Sequence, residues 1–357
     1  MYKKIKVLIV DDSAFMRKAI KGMIADDPDI EVVGAARDGM EGVDMVMTLS
    51  PDVVTLDVEM PRMNGLEALK IIMGKKPTHV LMLSSLTTED AKATLDALDI
   101  GAVDYIPKNL DNLSFNIVRI KEDLLLKIKA VARRPMPRKR KDVIEPVAHH
   151  VPEVHPVVVP AHDKFVSGKI AIIAIGASTG GPKALQDILP YMPKDMPAGM
   201  LIIQHMPKAF TGPFAERMNG LCKIEVREAK QGDVIKPGLA LIAPGGFQTR
   251  TIKKGVFDFY IDINDVPHDS IYKPCVDISL TSVANTYPGR CMGVILTGMG
   301  HDGRDGIRAI KETGGKTIAQ DEETCIVYGM PKAVVDDGTA DKVVPLESIA
   351  GEIVNMV

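Results

Sequence analysis

The sequence predicts an α/β protein built of two doubly wound, mostly parallel sheets joined by an irregular tether. Three observations carry that expectation. Short apolar runs alternate with helix-period patterns through the first 130 residues and again from Lys169 onward, which is the rhythm of βα units. Six prolines fall from Pro135 to Pro160, and a chain so interrupted holds neither a regular helix nor a central strand. The length of 357 residues suits about two domains at roughly 150 residues each. The boundaries read from these features are 1–130, 131–167 and 168–357.

In the first domain, strands are expected at Lys6–Val10, Glu31–Ala35, Val53–Leu56, Val80–Leu83 and Val103–Ile106. Helices are expected near 14–25, 38–49, 64–74, 89–100 and 114–132. Ser13 and Asn64 suit the starts of the first and third helices, because a short side-chain oxygen accepts a free first-turn N–H. Five such units imply a flavodoxin-like (βα)5 sheet, in which ligands bind at the carboxyl ends of the strands. Those ends carry Asp11 and Asp12, then Asp57 followed by Glu59, then Ser84, then Lys108. A lone Asp at a strand end usually caps a helix or turns the chain. Three carboxylates converging on one edge repel one another unless a cation neutralises them, and a hard ion with oxygen ligands, Mg²⁺, suits them. A lysine and a hydroxyl beside them suit phosphoryl oxygens. One carboxylate then serves as nucleophile toward phosphate.

This pattern strongly resembles the receiver domain of two-component response regulators, over residues 4–125. The resemblance implies Asp57 as phosphoacceptor, Asp12 and Asp57 as direct Mg²⁺ ligands, the Glu59 carbonyl as a third, and Asp11 acting largely through water. It implies that Ser84 follows the phosphate, that Lys108 contacts it, and that Tyr105 is a rotamer-switching aromatic. One departure stands out. Where the family usually has Lys-Pro with a cis bond, Pro107 here precedes Lys108 and Asn109 follows it.

The tether is read as an extended, semi-rigid segment. Six of the nine residues from Arg133 to Lys141 are basic. The net charge of −3 is an average. Residues 1–130 carry 17 Lys/Arg against 21 Asp/Glu, residues 131–167 carry 7 against 4, and residues 168–357 carry 20 against 22. A basic connector therefore lies between two acidic domains. Four histidines, His149, His150, His155 and His162, also fall in it, without the Cys or tight His spacing of a metal site.

In the second domain, strands are expected at Lys169–Ile175, Met200–Ile203, Ile224–Val226, Leu239–Ala243, Met292–Leu296 and Thr317–Ala319. Phe257–Ile261 is expected in a peripheral hairpin facing Lys253-Lys254-Gly255. The first strand runs into Gly176-Ala177-Ser178-Thr179-Gly180-Gly181, with Pro182 expected at the first helical position. The dinucleotide and Walker A fingerprints both fail there, whereas Gly-x-Ser-x-Gly matches at 176–180. Glycines at such a turn expose the serine and leave backbone N–H groups free for an oxyanion. A serine nucleophile needs a base and an orienter. His205, after Met200–Ile203, and Asp302, after Met292–Leu296, fall at the same strand edge as Ser178. His268 and His301 are rival bases, and Asp305 a rival orienter. The chain order Ser…His…Asp differs from the α/β-hydrolase order Ser…Asp…His.

These segments closely resemble the catalytic domain of chemotaxis protein-glutamate methylesterases, over roughly residues 168–355. The resemblance implies a phosphorylation-activated hydrolase that removes methyl esters from glutamates of chemoreceptor cytoplasmic helices and deamidates receptor glutamines. It implies Ser178 as nucleophile, His205 as base and then acid, Asp302 as orienter, and the Met299 N–H in the oxyanion site. His301 occupies a variable slot, and Cys275 stands where the family usually has Ser in a Pro-Ser-Val-Asp motif. Expected partners are the chemoreceptor as substrate and the chemotaxis histidine kinase as phosphodonor. No cofactor is expected for ester hydrolysis itself. A monomer in the cytoplasm is expected. No apolar run reaches the roughly 18 residues of a membrane span, no signal peptide is read, and Cys222, Cys275, Cys291 and Cys325 are read as reduced buried thiols. Aromatics at 4% without Trp disfavour stacking on single-stranded nucleic acid. A DNA-binding output domain and an unrelated serine hydrolase are the competing readings. The first lacks a basic recognition helix, since the second domain is acidic.

Overall fold

The structure is a computed structural model and describes residues 3–108, 116–133, 170–254 and 258–357. The N-terminal part alternates β1 Ile5–Val10, α1 Ala14–Ile24, β2 Ile30–Ala36, α2 Gly39–Leu49, β3 Val53–Asp57, α3 Gly65–Lys75, β4 His79–Ser84, α4 Thr88–Ile100, β5 Asp104–Pro107 and α5 Asn116–Ala132. The sheet is parallel in the order β2-β1-β3-β4-β5, the flavodoxin-like arrangement. Val7 to Val10 are fully buried because a parallel sheet covered by helices on both faces leaves neither side of its central strands to water. Ser13 caps α1, and Asn64 caps α3 in a reciprocal box with Glu67, each worth about 1 kcal/mol.

The C-terminal part contains β6 Ile172–Ala177, α6 Gly181–Ile188, β7 Gly199–Gln204, α7 Lys208–Leu221, β8 Glu225–Glu228, β9 Leu239–Ile242, β10 Gln248–Lys254 and β11 Asp258–Asn264. It continues with α8 Val276–Thr286, β12 Cys291–Ile295, α9 Arg304–Glu312, β13 Lys316–Gln320, α10 Met330–Asp336, β14 Lys342–Val344 and α11 Leu346–Met356. Seven of these strands form a parallel sheet in the order β14-β13-β12-β6-β7-β9-β8. β10 and β11 pair antiparallel as the separate hairpin. Adjacent residues of the central strands point to opposite faces. Ile173 and Ile175 pack in one buried layer, and Ile172 and Ala174 in the other.

Several boundaries differ from the sequence reading. β6 starts at Ile172 and runs through Ala177, so Gly176 lies inside the strand and the turn begins at Ser178. Pro182 is the second residue of α6, not the first, because Gly180 at φ +75° caps it. β10 extends back to Gln248, and Lys342–Val344 forms a further strand, β14. Cys222 and Cys275 are only half-buried. Pro107 has no cis bond; among the described residues cis bonds precede Pro267 and Pro274. Most of the tether, its four histidines and Asn109 lie outside the described residues.

The two parts touch. Helix α4 lies against α7, where the Arg217 guanidinium bonds the carboxylates of Asp96, at 2.7 Å, and Asp99. The Tyr105 ring stacks on Phe210 at 4.7 Å and 3°. Both rings are buried. Beneath Tyr105, the Lys127 ammonium meets Asp104 at 3.0 Å, Asp123 at 3.2 Å and the Tyr105 carbonyl at 2.8 Å. Among the described residues, no helix is long and apolar enough to cross a membrane.

Candidate active site and phosphoacceptor site

The carboxyl ends of β6, β7 and β12 deliver Ser178, His205 and Asp302 to one place. Ser178 follows β6 directly. Its N–H donates to the Thr297 carbonyl at 3.1 Å, and its carbonyl accepts from the Gly181 N–H at 2.8 Å. A Cβ on Gly298 would lie 2.9 Å from Ser178 Cβ, so only glycine lets the loop carrying Met299 approach the serine so closely. His205 follows β7, and its Nε2 lies 2.8 Å from Asp302 Oδ2, across 97 residues of sequence. That leaves Nδ1, which is buried and has no hydrogen-bond partner among the described residues. The imidazole stacks on Tyr272 at 4.1 Å and 6°, which fixes its plane.

Asp302 is buried. Burial by itself would raise its pKa, but the His205 contact and the backbone N–H groups of Asp277 and Val276 outweigh it and hold the carboxyl below its ordinary range. Asp302 therefore favours its charged form beside the His205 ring. The rivals are elsewhere: His268 is exposed and paired with Asp265, His301 is exposed, and Asp305 pairs with Arg304 and Arg308.

Ser178, His205 and Met299 line a cleft of about 600 Å³ whose other wall is the N-terminal domain, through Tyr105, Glu122 and Leu126. One residue missed in the sequence ties the cleft together. The buried Gln204 side chain donates to the carbonyls of both Ser178, at 2.9 Å, and His205, at 3.1 Å. Its position immediately before His205 at a strand end was the signal that could have found it.

The second site lies at the carboxyl edge of the N-terminal sheet. Oxygens of Asp11, Asp12 and Asp57 lie within 4.8 Å of one another. Lys108 Nζ sits 2.8 Å from Asp11 and 2.6 Å from Asp57. Burial pushes the Asp57 carboxyl up to about 6; Lys108 opposes this, and the charges of Asp11 and Asp12 add to it. A Cβ on Gly65 would fall 1.9 Å from the Asp57 carbonyl, so α3 begins hard against the phosphoacceptor candidate. Glu59 and Ser85 line the adjoining cavity. Ser84 closes β4 as expected, but it is fully buried, accepting from Thr94 Oγ1 at 2.8 Å and donating to the Ser85 carbonyl at 3.1 Å.

The CheB methylesterase family model matches residues 173–353, and the response regulator receiver domain model matches residues 7–115. A protein-glutamate methylesterase/protein-glutamine glutaminase of Nitratidesulfovibrio vulgaris is 48% identical over 98% of this chain and 99% of its own length. The enzyme of the same name from Pyrococcus horikoshii is 46% identical, over 100% and 95%. Among solved structures, the Thermotoga maritima CheB methylesterase catalytic domain is 40% identical, with a TM-score of 0.51, covering 54% of this chain and all of its own.

Proposed function

The chain belongs to the CheB methylesterase family and carries a response-regulator receiver domain, and from that premise we propose how its residues do the work. The activity is hydrolysis of glutamyl methyl esters and deamidation of glutamines, in chemotaxis adaptation under control of the receiver. The substrate groups lie on chemoreceptor cytoplasmic helices, and the phosphodonor is the chemotaxis histidine kinase. The domain limits are 1–130, 131–167 and 168–357. The observation that carries the catalytic reading is the convergence of Ser178, His205 and Asp302 at one sheet edge, with His205 Nε2 engaged by Asp302.

Ser178 Oγ attacks the ester carbonyl as His205 Nδ1 takes its proton. Asp302 holds the imidazole plane and stabilises the imidazolium. The Met299 N–H receives the developing oxyanion. The same proton passes to the departing methanol, or to ammonia from an amide. Water, deprotonated by Nδ1, then frees the acyl-enzyme as a glutamate. No cofactor takes part in these steps.

In the receiver, Asp57 is the phosphoacceptor. The clustered carboxylates fit a hard divalent ion, Mg²⁺, which Asp12, Asp57 and the Glu59 carbonyl would hold, with Asp11 acting through water. When bound, Mg²⁺ supplies positive charge against the phosphoryl oxygens. Lys108 pairs with the phosphate in exchange for Asp11 and Asp57. Ser84 turns its hydroxyl from Ser85 toward the new oxygens. Tyr105 and α5 form a wall of the catalytic cleft, so the unphosphorylated receiver restricts access, and phosphorylation relieves it. Methanol release from methylated receptor membranes tests the reading. Ser178→Ala is expected to abolish it, and retained release would refute the assignment. Equal rates with and without a small phosphodonor would remove the gating.

A further inference from the structure

Asp277, the second residue of α8, has no part in the steps above, yet it is bonded to the turn that carries Asp302. Both oxygens of Asp302 are occupied at the start of α8. Oδ2 accepts from the Val276 N–H at 2.8 Å while facing His205. Oδ1 accepts from the Asp277 N–H at 2.8 Å and from the Cys275 thiol at 3.2 Å. The reverse arrangement is also present. Asp277 Oδ1 accepts from the N–H groups of Gly303, at 2.9 Å, and Gly306, at 2.8 Å, at the start of α9. Each helix is thus capped by the carboxylate that introduces or opens the other.

The crossing is close. A Cβ on Gly303 would fall 2.9 Å from Val276 Cγ1, and one on Gly306 would fall 2.5 Å from Leu280 Cβ. The two glycines let the helix starts approach until each acid reaches the other's amides. Gly303, at φ +99°, immediately follows Asp302, so the bond from Asp277 to its N–H clamps the peptide on which the orienter hangs. With four acceptor contacts set by α8 and His205, the Asp302 carboxylate has no free rotation about its terminal bond.

We propose that Asp277 is a positioning residue of the hydrolytic reaction, holding the Asp302–Gly303 turn so that the Asp302 carboxylate lies in line with His205 Nε2. The inference rests on the Ser178–His205–Asp302 assignment and deepens it. Burial raises the Asp277 carboxyl to about 6, the Gly306 N–H opposes this, and the charge of Asp302 adds to it. Misplacement of a reacting group by about 1 Å costs about a hundredfold in rate, and loss of both caps frees the turn on that scale.

The test uses the full-length chain with saturating phosphodonor, so that gating does not enter. Methanol release from methylated receptor membranes yields kcat and KM separately. The reaction of Ser178 with a fluorophosphonate reads nucleophile activation without the receptor. Asp277→Ala is expected to lower kcat and the fluorophosphonate rate by about 10- to 100-fold, with KM within about twofold. Asp277→Asn keeps a carbonyl oxygen for the Gly303 and Gly306 amides and is expected to recover both rates to within about threefold. Parent rates in Asp277→Ala would overturn the proposal, as would a loss confined to KM. Should Asp277→Ala melt below the assay temperature, Asp277→Glu carries the same expectation, because it keeps the charge but moves the acceptor by one methylene. Parent kcat in Asp277→Glu would then overturn it. Ser178→Ala separates the two levels: an active Ser178→Ala refutes the triad, whereas an inactive one alongside a fully active Asp277→Ala refutes only the positioning role.

Discussion

The contact between α4 and α7 makes a quantitative prediction about gating. The Arg217 side chain is 23% exposed, and its partners Asp96 and Asp99 are 55% and 42% exposed. Pairs this open to water are each worth about 0.2–1 kcal/mol after screening, so the fork supplies about 1 kcal/mol. The aromatic stack of Tyr105 on Phe210 remains when Arg217 is removed, and the receiver stays docked most of the time. A loss of 1 kcal/mol shifts a closed–open equilibrium about fivefold. Arg217→Ala is therefore expected to raise the unphosphorylated rate of methanol release by up to about fivefold. The phosphodonor-saturated rate stays at the parent value, because Arg217 is not among the residues lining the catalytic cleft. Raising ionic strength should raise the parent's basal rate in the same direction and leave Arg217→Ala nearly unmoved. The double variant Asp96→Ala/Asp99→Ala should match Arg217→Ala, and combining all three should add nothing further. A basal rate in Arg217→Ala equal to the parent's would refute the argument that this ion pair holds the cleft closed.

Two further expectations concern stability. Lys127→Met strips the buried Asp104 of its counter-charge and should cost about 3–5 kcal/mol in urea unfolding of the full chain; adding Asp104→Asn should recover most of it, and an unchanged midpoint in the single variant would contradict the account. Asp57 has its folded pKa raised from 3.8 to about 6, so it binds its proton more tightly folded than unfolded. Its contribution is complete below about pH 3.8 and is lost as pH rises through about 6. In EDTA, the parent should therefore lose on the order of 1–3 kcal/mol relative to Asp57→Asn between about pH 4 and pH 7, and parallel pH–stability curves for the two proteins would exclude it.

The receiver half was legible almost element by element. Its strands are buried on both faces and read as continuous apolar runs, as at Val7–Val10 and Val80–Leu83. Its first and third helices announce themselves through Ser13 and Asn64. The second half was less so at its periphery. β14, Lys342–Val344, is largely exposed at the edge of its sheet, and such a strand is held by pairing with β13 rather than by any apolar pattern of its own. β10 was foreshortened for a related reason. Gln248 and Thr249 are buried but polar: the Gln248 side chain joins Tyr272 and Cys275 in the loop before α8, and the Thr249 backbone carbonyl accepts from Ser279 of α8, while the Thr249 hydroxyl has no partner among the described residues.

By itself, the sequence determined which residue types stand at the ends of the strands: Asp57 beside Asp11 and Asp12, and Ser178, His205 and Asp302 in that order. Those identities depend only on the local rhythm of apolar runs and the turns that end them. Tertiary structure decided the rest. It set which imidazole nitrogen meets Asp302, tied Ser178 to His205 through Gln204, crossed the caps of Asp277 and Asp302, and laid Tyr105 and α5 along the cleft that Ser178 and His205 line. Each of these joins groups tens of residues or more apart, and Gln204 reaches Ser178 across 26 residues only because β6 and β7 are neighbours. Strand order, helix crossing and domain packing are properties of the whole buried core, and no local window of sequence encodes them.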